Sequence, residues 1–383
     1  NKIDAAIKCY KEVLVIKPDF AEMHNNLGVL FQELGQIDSA VKHLEDAILI
    51  MPAFAEAHNN LGNVFKTLGR SENAVSCYTT AVLIKPSYAE AHFNLGVIYQ
   101  ELKNFNEAIN QYAEAIAIKS DYAEAYNNRG IIFKEEGKLN DAINSFNDAL
   151  AINPVYVDAN YNLGASFQEL EKFNKAIKQY EKTITINPDY AEAHNNLGIT
   201  FKELEKYDLA IKSYEKALSI KPEYAEVHNN LGNILKVLGK PYEAIKSYKK
   251  TLKIKPDYAE AHNNLGVILM QLGELDKSIK SFENALVINP NYAEVHNNLG
   301  IVFGMLGSLD LSIKSYDKAL TTKPNYAEAH SNLGNLMTDL KRLDDAIFNY
   351  ERAFELKPEI PFNFGNLLHT KMHLCLWSNL TGQ

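Results

Sequence analysis

Eleven asparagines spaced 34 residues apart are the side chains in this sequence with the clearest capacity for binding chemistry. They are Asn26, Asn60, Asn94, Asn128, Asn162, Asn196, Asn230, Asn264, Asn298, Asn332 and Asn366. A primary amide carries two N–H donors and one carbonyl acceptor, which together match the main chain of a polypeptide whatever its side chains are. The column therefore predicts peptide-binding residues. The alternative is a structural role, in which each amide bonds an adjacent helix.

The residue just before each asparagine varies more than the asparagine itself. It is replaced by Phe93, Tyr161 and Ser331 in three units. Recent duplication of one unit would leave both positions equally uniform. The greater variation at the preceding position therefore favours a binding role for the asparagines over shared ancestry alone.

Histidines recur in the same phase, two residues before the asparagines. They are His24, His58, His92, His194, His228, His262, His296 and His330, while Tyr126 and Asn160 occupy the two remaining places in the ten full repeats. Equivalent residues on neighbouring packed helices lie about 9–10 Å apart, whereas zinc ligands lie about 2 Å from the ion. A metal site shared between repeats is therefore excluded. Packing with a hydrogen bond from the side chain is predicted.

An acidic residue lies four positions before each of the first ten asparagines, near the predicted start of a helix. The set is Glu22, Glu56, Glu90, Glu124, Asp158, Glu192, Glu226, Glu260, Glu294 and Glu328. Carboxylates at a helix start satisfy free N–H groups and the helix dipole. Because they share a face with the asparagines, a second role in selecting Ser, Thr or basic side chains of a peptide stays open.

No motif for enzymatic chemistry occurs in the sequence. It has no glycine-rich phosphate loop, no Cys-x-x-Cys pair and no nucleophile elbow. We therefore predict no catalytic residue, no metal and no cofactor in this chain.

Composition narrows the range of partners. Lys plus Arg is 39 and Asp plus Glu is 48, giving a formal charge of −9, which disfavours general nucleic-acid binding. No apolar run reaches the roughly 18–20 residues of a membrane helix. The three cysteines, Cys9, Cys77 and Cys375, lie far apart, as is typical of a reducing, cytoplasmic setting. The sequence leaves open whether the chain forms a homo-oligomer.

Each 34-residue unit has the pattern of two helices. In residues 191–224, His194, Leu197 and Phe201 follow at i, i+3 and i+7, which indicates one apolar helical stripe. A second stripe follows and ends before Pro222, because proline cannot continue a helix. Neither helix can bury its stripe alone, so the units must stack.

Turn and cap signals divide the two helices. A glycine such as Gly35 ends the first helix in most units, and an Asp or Asn such as Asp38 is predicted to cap the second. Asp189 with Glu192 has the spacing of a capping box before a first helix.

The unit resembles the tetratricopeptide repeat. Positions are counted with the recurring glycine, such as Gly198, as position 8. An aromatic-type residue at position 4, Leu at 7, Gly at 8, aromatics at 11 and 24, Ala at 20 and 27 and Pro at 32 carry the resemblance, with departures such as Arg129, Asn160 and Ser120. It implies an all-α, right-handed superhelix, an α-solenoid of helix–turn–helix repeats. First helices would line a concave groove that holds an extended polypeptide or a protein partner.

The repeat phase divides the chain into four parts. Residues 1–20 are predicted to be the second helix of a truncated repeat, 21–360 ten full repeats and 361–374 a half-repeat helix. Residues 375–383 are predicted to join a C-terminal domain that this chain lacks. The apolar Leu374, Leu376 and Trp377 favour that junction; a terminal helix folding back on the last repeat is the alternative.

The unbroken asparagine column, together with the junction 375–378, resembles the repeat arm of protein O-linked N-acetylglucosamine transferases and their Spindly-type relatives. That resemblance implies that the eleven asparagines contact the acceptor polypeptide, while a separate glycosyltransferase domain uses a nucleotide sugar. The alternative is a stand-alone adaptor or co-chaperone scaffold without an enzymatic domain. A clamp for a terminal carboxylate would need basic groove residues, and position 12 supplies Lys66, Lys134, Lys202 and Lys236.

Overall fold

The computed structural model describes residues 2–361 and 363–374, and this part of the chain forms 22 helices and no strand. The helices are α1 Lys2–Ile16, α2 Ala21–Glu33, α3 Ile37–Ile50, α4 Ala55–Thr67, α5 Ser71–Ile84, α6 Ala89–Glu101, α7 Phe105–Ile118, α8 Ala123–Glu135, α9 Leu139–Ile152, α10 Val157–Glu169, α11 Phe173–Ile186, α12 Ala191–Glu203, α13 Tyr207–Ile220, α14 Ala225–Val237, α15 Pro241–Ile254, α16 Ala259–Gln271, α17 Leu275–Ile288, α18 Ala293–Met305, α19 Leu309–Thr322, α20 Ala327–Asp339, α21 Leu343–Leu356 and α22 Asn363–His373.

The prediction of an all-α solenoid of helix–turn–helix repeats is confirmed. Even-numbered helices from α2 to α20 are the first helices of the repeats, and each is followed by a second helix. The chain divides into two compact units, Asn1–Thr200 and Phe201–Gln383. The assignment of α1 and α22 to partial repeats stays a prediction.

Within each unit the first helices form the more closely packed layer. Helix α4 contacts α6 in the first unit, and α16 contacts α18 in the second. Among the described helices, no Cα atom of one second helix comes within 8 Å of the next second helix in the same unit. First helices of consecutive repeats therefore meet directly, whereas a second helix meets the next repeat through that repeat's first helix, as α3 does with α4.

The core of most repeats depends on a glycine opposite an aromatic ring, whereas in the first full repeat Leu44 lies opposite Gly28. A Cβ atom added at Gly62 would lie 2.6 Å from Cε1 of Tyr78, whose side chain is fully buried. The same relationship joins Gly96 to Tyr112. Only glycine lets the ring approach the first helix so closely, which explains the Gly-8 and aromatic-24 pattern.

The turn between the two helices needs one residue in the left-handed conformation. Gly35 has φ 71° and Gly69 has φ 68°, as predicted for glycines that end a first helix. Four repeats place another residue there, with φ between 56° and 58°: Lys103, Glu171, Glu205 and Lys341. The backbone of this turn is therefore set by the helix packing and not by glycine alone.

The predicted capping pattern is wrong for the second helices. Helix α3 begins at Ile37, so Asp38 lies inside its first turn, and the N-cap Gln36 makes no side-chain cap bond. The first helices behave similarly, because Tyr88 occupies the N-cap of α6 without such a bond. The acidic residues therefore act on the helix dipole rather than as caps.

The predicted half-repeat stripe is only partly buried. Leu367 is 3% exposed, whereas Phe364 is 38% exposed and its ring lies 5.5 Å from that of Phe354. The predicted junction, with Cys375 and Trp377, lies outside the described residues.

Candidate peptide-binding surface

The position-6 asparagines lie on the first helices and are half-buried or, at Asn264 and Asn298, 8% exposed. Most donate through Nδ2 to a side chain of the preceding repeat. The acceptor in the regular case is Oδ1 of the position-5 asparagine, 35 residues earlier. The bonds are Asn60 to Asn25 at 2.9 Å, Asn94 to Asn59 at 3.0 Å, Asn162 to Asn127 at 3.2 Å, Asn264 to Asn229 at 3.4 Å, Asn298 to Asn263 at 3.0 Å and Asn332 to Asn297 at 3.0 Å.

Where position 5 has changed, the bond changes with it. Asn196 donates to the hydroxyl of Tyr161 at 3.0 Å, and burial raises the pKa of that hydroxyl, which stays protonated. Phe93 offers no acceptor, so Asn128 lies 3.5 Å from the hydroxyl of Tyr112 instead. A substitution at position 5 is thus answered by a new acceptor for the same amide.

The end of the series follows its own arrangement. Ser331 replaces the position-5 asparagine in the tenth repeat. On the following helix, α22, Asn366 donates to Oδ1 of Asn335 at 3.0 Å. Asn26 makes no side-chain hydrogen bond with any described residue, and α1 is the one described helix before α2.

Sequence reasoning missed the position-5 asparagines. They are buried, with Asn59 at 0% and Asn229 at 1% exposure, and they connect one repeat to the next. Asn229 and Asn263 also donate to Glu260 and Glu294 at 3.0 and 3.1 Å. The signal available in the sequence was the Asn-Asn pair itself.

These inter-repeat bonds use one N–H of each position-6 amide. At Asn60, Asn94 and Asn162, Oδ1 accepts no hydrogen bond from the described residues. The bond therefore fixes the plane of the amide while a carbonyl and a second N–H keep their capacity. Each of these three amides therefore makes a structural contact through Nδ2 and still offers Oδ1 as an acceptor.

Three of these asparagines line open clefts. Asn128 lies in a cleft with Gln100 and Glu135. Asn196 shares a cleft with Gln168 and Tyr180, and Asn366 lines a third. The amides therefore border spaces that another chain can enter.

Two of the acidic residues at position 2, Glu56 and Glu328, are held by lysines at the end of the same repeat. Lys85 donates to Glu56 at 2.7 Å, and Lys357 donates to Glu328 at 2.9 Å. The lysine hydrogen bond lowers the pKa of each carboxyl. These two acids are therefore already partnered.

Three of the four lysines considered for a carboxylate clamp are also paired with acids. Lys66 lies 3.6 Å from Glu101, and Lys134 lies 3.8 Å from Glu169. Lys202 contacts Glu203 at 3.0 Å. Neighbouring acids offset their charge, so a terminal carboxylate meets little net positive potential here.

The position-4 histidines share one contact. In all eight, Nε2 lies 2.9–3.1 Å from the carbonyl oxygen of the proline six residues earlier, as in His58 with Pro52. Because a carbonyl only accepts, Nε2 carries the proton. Asn160 makes the same contact through Nδ2 to Pro154 at 3.3 Å, which explains why an amide replaces the ring there.

Paired helices that recur every 34 residues, with amides joining one pair to the next, define an α-solenoid repeat protein. Tetratricopeptide repeat models match residues 1–35, 31–69, 53–121, 132–171, 167–205, 200–239, 238–273, 267–307, 305–340 and 327–360. The chain belongs to the tetratricopeptide repeat family. Proteins of this family typically bind peptide or protein partners.

Solved structures are similar to the chain in fold. The APC/C hetero-tetramer Cut9–Hcn1 has a TM-score of 0.54 and 15% identity over 96% of this chain and 93% of that chain. MamA has 27% identity and a TM-score of 0.41 over 43% and 97%. YrrB, described as a TPR protein with an unusual peptide-binding site, has 22% identity and a TM-score of 0.42 over 48% and 95%. No curated protein matches the chain.

None of the described helices is both long and apolar enough to cross a membrane. The similar structures are other tetratricopeptide repeat proteins, so the specific resemblance to O-linked N-acetylglucosamine transferases stays a prediction. The cytoplasmic location and self-association stay predictions as well.

Proposed function

We propose that this chain is a polypeptide-binding scaffold whose position-6 asparagines bind the main chain of an extended partner. The observation that carries the proposal is the hydrogen bonding of these amides. Asn60, Asn94 and Asn162 are each held through one N–H by the preceding repeat, and the Oδ1 of each accepts nothing within the described residues. A preorganised amide loses less entropy on binding than a mobile one.

The repeat spacing suits an extended chain. Adjacent packed helices lie about 9–10 Å apart, and an extended chain advances about 3.3 Å per residue. Successive asparagines therefore meet the bound main chain about once every three residues. Main-chain contacts at this interval leave the intervening side chains of the partner unconstrained.

A finer form of the proposal makes this scaffold the substrate-recruiting arm of a protein O-linked N-acetylglucosamine transferase-like enzyme. The asparagine column supports it, whereas the junction at residues 375–378 lies outside the described residues. The alternative is a stand-alone adaptor or co-chaperone scaffold. Assaying the natural full-length protein for sugar transfer from a nucleotide sugar to a bound peptide separates the two.

A backbone scan tests the binding mode. Peptides selected on the wild-type chain from a random 16-residue library would be resynthesised with a single N-methyl group at each position in turn. We expect affinity to fall at about every third residue, and alanine substitutions at the same places to matter less. N-methylation without effect anywhere would overturn main-chain binding.

Amidation of the peptide C-terminus distinguishes this mode from a carboxylate clamp. We expect amidated and free-acid peptides to bind alike, because Lys66 and Lys134 are already paired with acids. Loss of binding on amidation would favour the co-chaperone alternative.

A further inference from the structure

Three side chains of metal-binding type converge in the first full repeat. His24 lies on α2, while His43 and Asp46 lie on α3. The two Nδ1 atoms are 3.0 Å apart, and Nδ1 of His24 lies 3.7 Å from Oδ2 of Asp46. One ligand atom from each residue falls within 4.8 Å of both others. The distance argument against a metal between repeats does not apply, because all three residues belong to one repeat.

The tautomer of His24 suits a metal ligand. Its Nε2 lies 3.1 Å from the carbonyl oxygen of Pro18 and donates to it. Nδ1 therefore bears the lone pair, and this atom faces His43 and Asp46. A ring N–H donated to a backbone carbonyl is the usual outer contact that orients a metal-binding histidine.

The second histidine is also held in place. The ring of His43 stacks on Phe31, with centroids 5.4 Å apart and planes 11° apart. Side-chain exposure is 12% for His24 and 37% for Asp46, so the cluster is ordered by packing and open to ions from solvent.

Other repeats place a neutral partner where the first repeat has His43. His92 lies 2.7 Å from Oε1 of Gln111, and His330 lies 2.9 Å from Oδ1 of Asn349. A hydrogen bond satisfies these histidines without a second imidazole or a carboxylate. In the part of the chain that the structure describes, no other three His, Cys, Asp or Glu side chains converge in this way.

We infer that His24, His43 and Asp46 bind a divalent transition-metal ion of the zinc class, through two Nδ1 atoms and one carboxylate oxygen. Tetrahedral zinc with Zn–N distances of about 2.0–2.1 Å separates two ligand atoms by about 3.3 Å. The observed 3.0 and 3.7 Å differ from that value by only a few tenths of an ångström. Water completes the coordination, and the bound ion links α2 to α3.

Titration of the intact chain with Zn²⁺ or Co²⁺ alone tests the site. Calorimetry should give one tight ion per chain, and Co²⁺ should give the visible absorption of a tetrahedral centre. His43→Gln, the residue that the third repeat has at this place, should weaken binding by about ten-fold or more. The control His262→Gln removes a histidine with the same proline contact at 3.0 Å and should leave binding unchanged.

A second measurement keeps the inference testable if a variant folds poorly. In the wild-type chain, Zn²⁺ should shift the imidazole ¹⁵N resonances of His24 and His43 and leave that of His262 in place. The pair His369 and His373 on α22, with ring centroids 4.6 Å apart, is the competing site. Absence of binding, wild-type binding by His43→Gln, or shifts confined to His369 and His373 would overturn the inference.

Discussion

The side-chain amide of Asn298 donates a hydrogen bond to Oδ1 of Asn263, 35 residues earlier, at 3.0 Å. Both side chains are buried, with 8% and 2% exposure. The bond joins first helices of consecutive repeats inside the second unit. Its partners occupy positions 6 and 5 of their repeats, so one bond type recurs along the chain and couples neighbouring repeats.

Removing either partner of this bond should destabilise the second unit. We expect Asn298→Ala and Asn263→Ala each to lower the free energy of unfolding by about 1–3 kcal/mol, because a buried amide loses its partner. The double variant should cost less than the sum of the two. A thermodynamic cycle from urea unfolding measures this, and strict additivity would contradict the bond's contribution.

Two glycines of α18 should respond in opposite directions to alanine. A Cβ at Gly300 would lie 2.5 Å from Cε1 of Tyr316, whereas at Gly304 the nearest atom is Oγ of Ser312 at 3.4 Å. We expect Gly300→Ala to destabilise by about 1–3 kcal/mol and Gly304→Ala to stabilise by about 0.5–1 kcal/mol. Thermal unfolding checks the pair, and equal shifts would rule out the ring contact as the cause.

The left-handed turn residues predict a stabilising substitution. Lys103 has φ 58° in a turn where Gly69 has φ 68° and nothing within 4 Å of its missing Cβ. Lys103→Gly should therefore stabilise by about 0.5–1 kcal/mol, because the left-handed conformation strains any side chain with a Cβ. The reverse change, Gly69→Lys, should cost a similar amount. Differential scanning calorimetry measures both, and loss of stability in Lys103→Gly would count against this account of the turn.

The ion pair between Glu328 and Lys357 predicts a pH dependence at the acidic end. The lysine hydrogen bond lowers the pKa of the carboxyl, so its stabilising contribution is present above the ordinary pKa of 4.5 and is lost as pH falls through the lowered value. Both side chains are nearly half exposed, so the effect is small. Wild type and Glu328→Gln should differ in urea midpoint at pH 7 and converge at the acidic end. A difference in urea midpoint that does not change with pH would indicate another cause.

The fold was predictable because its rules act within one repeat. Leu197 and Phe201 follow a helical period, and Gly35 marks a turn that needs a positive φ. Helix starts were less predictable: Asp38 has a favoured capping residue type, yet packing places the start of α3 at Ile37.

The asparagine surface was only partly predictable. The amide of Asn60 points to a binding role by its type and spacing, but its bond to Asn25 depends on how two repeats stack. The stacking itself was predicted, but which side chains meet across it is a tertiary relationship that no local pattern encodes. The cluster around His43 was missed for the same reason, since it joins residues on two helices, and His24 precedes His43 by 19 residues.

Two matched triple variants test the central claim most directly. Asn60, Asn94 and Asn162 changed to Ala, or their partners Asn25, Asn59 and Asn127 changed to Ala, break the same three inter-repeat bonds. The two sets should therefore lose similar stability. Peptide affinity, measured by calorimetry with library-selected peptides at a temperature where both variants are folded, should fall much further in the first set. Equal affinities in the two sets would contradict direct contact between the position-6 amides and the bound chain.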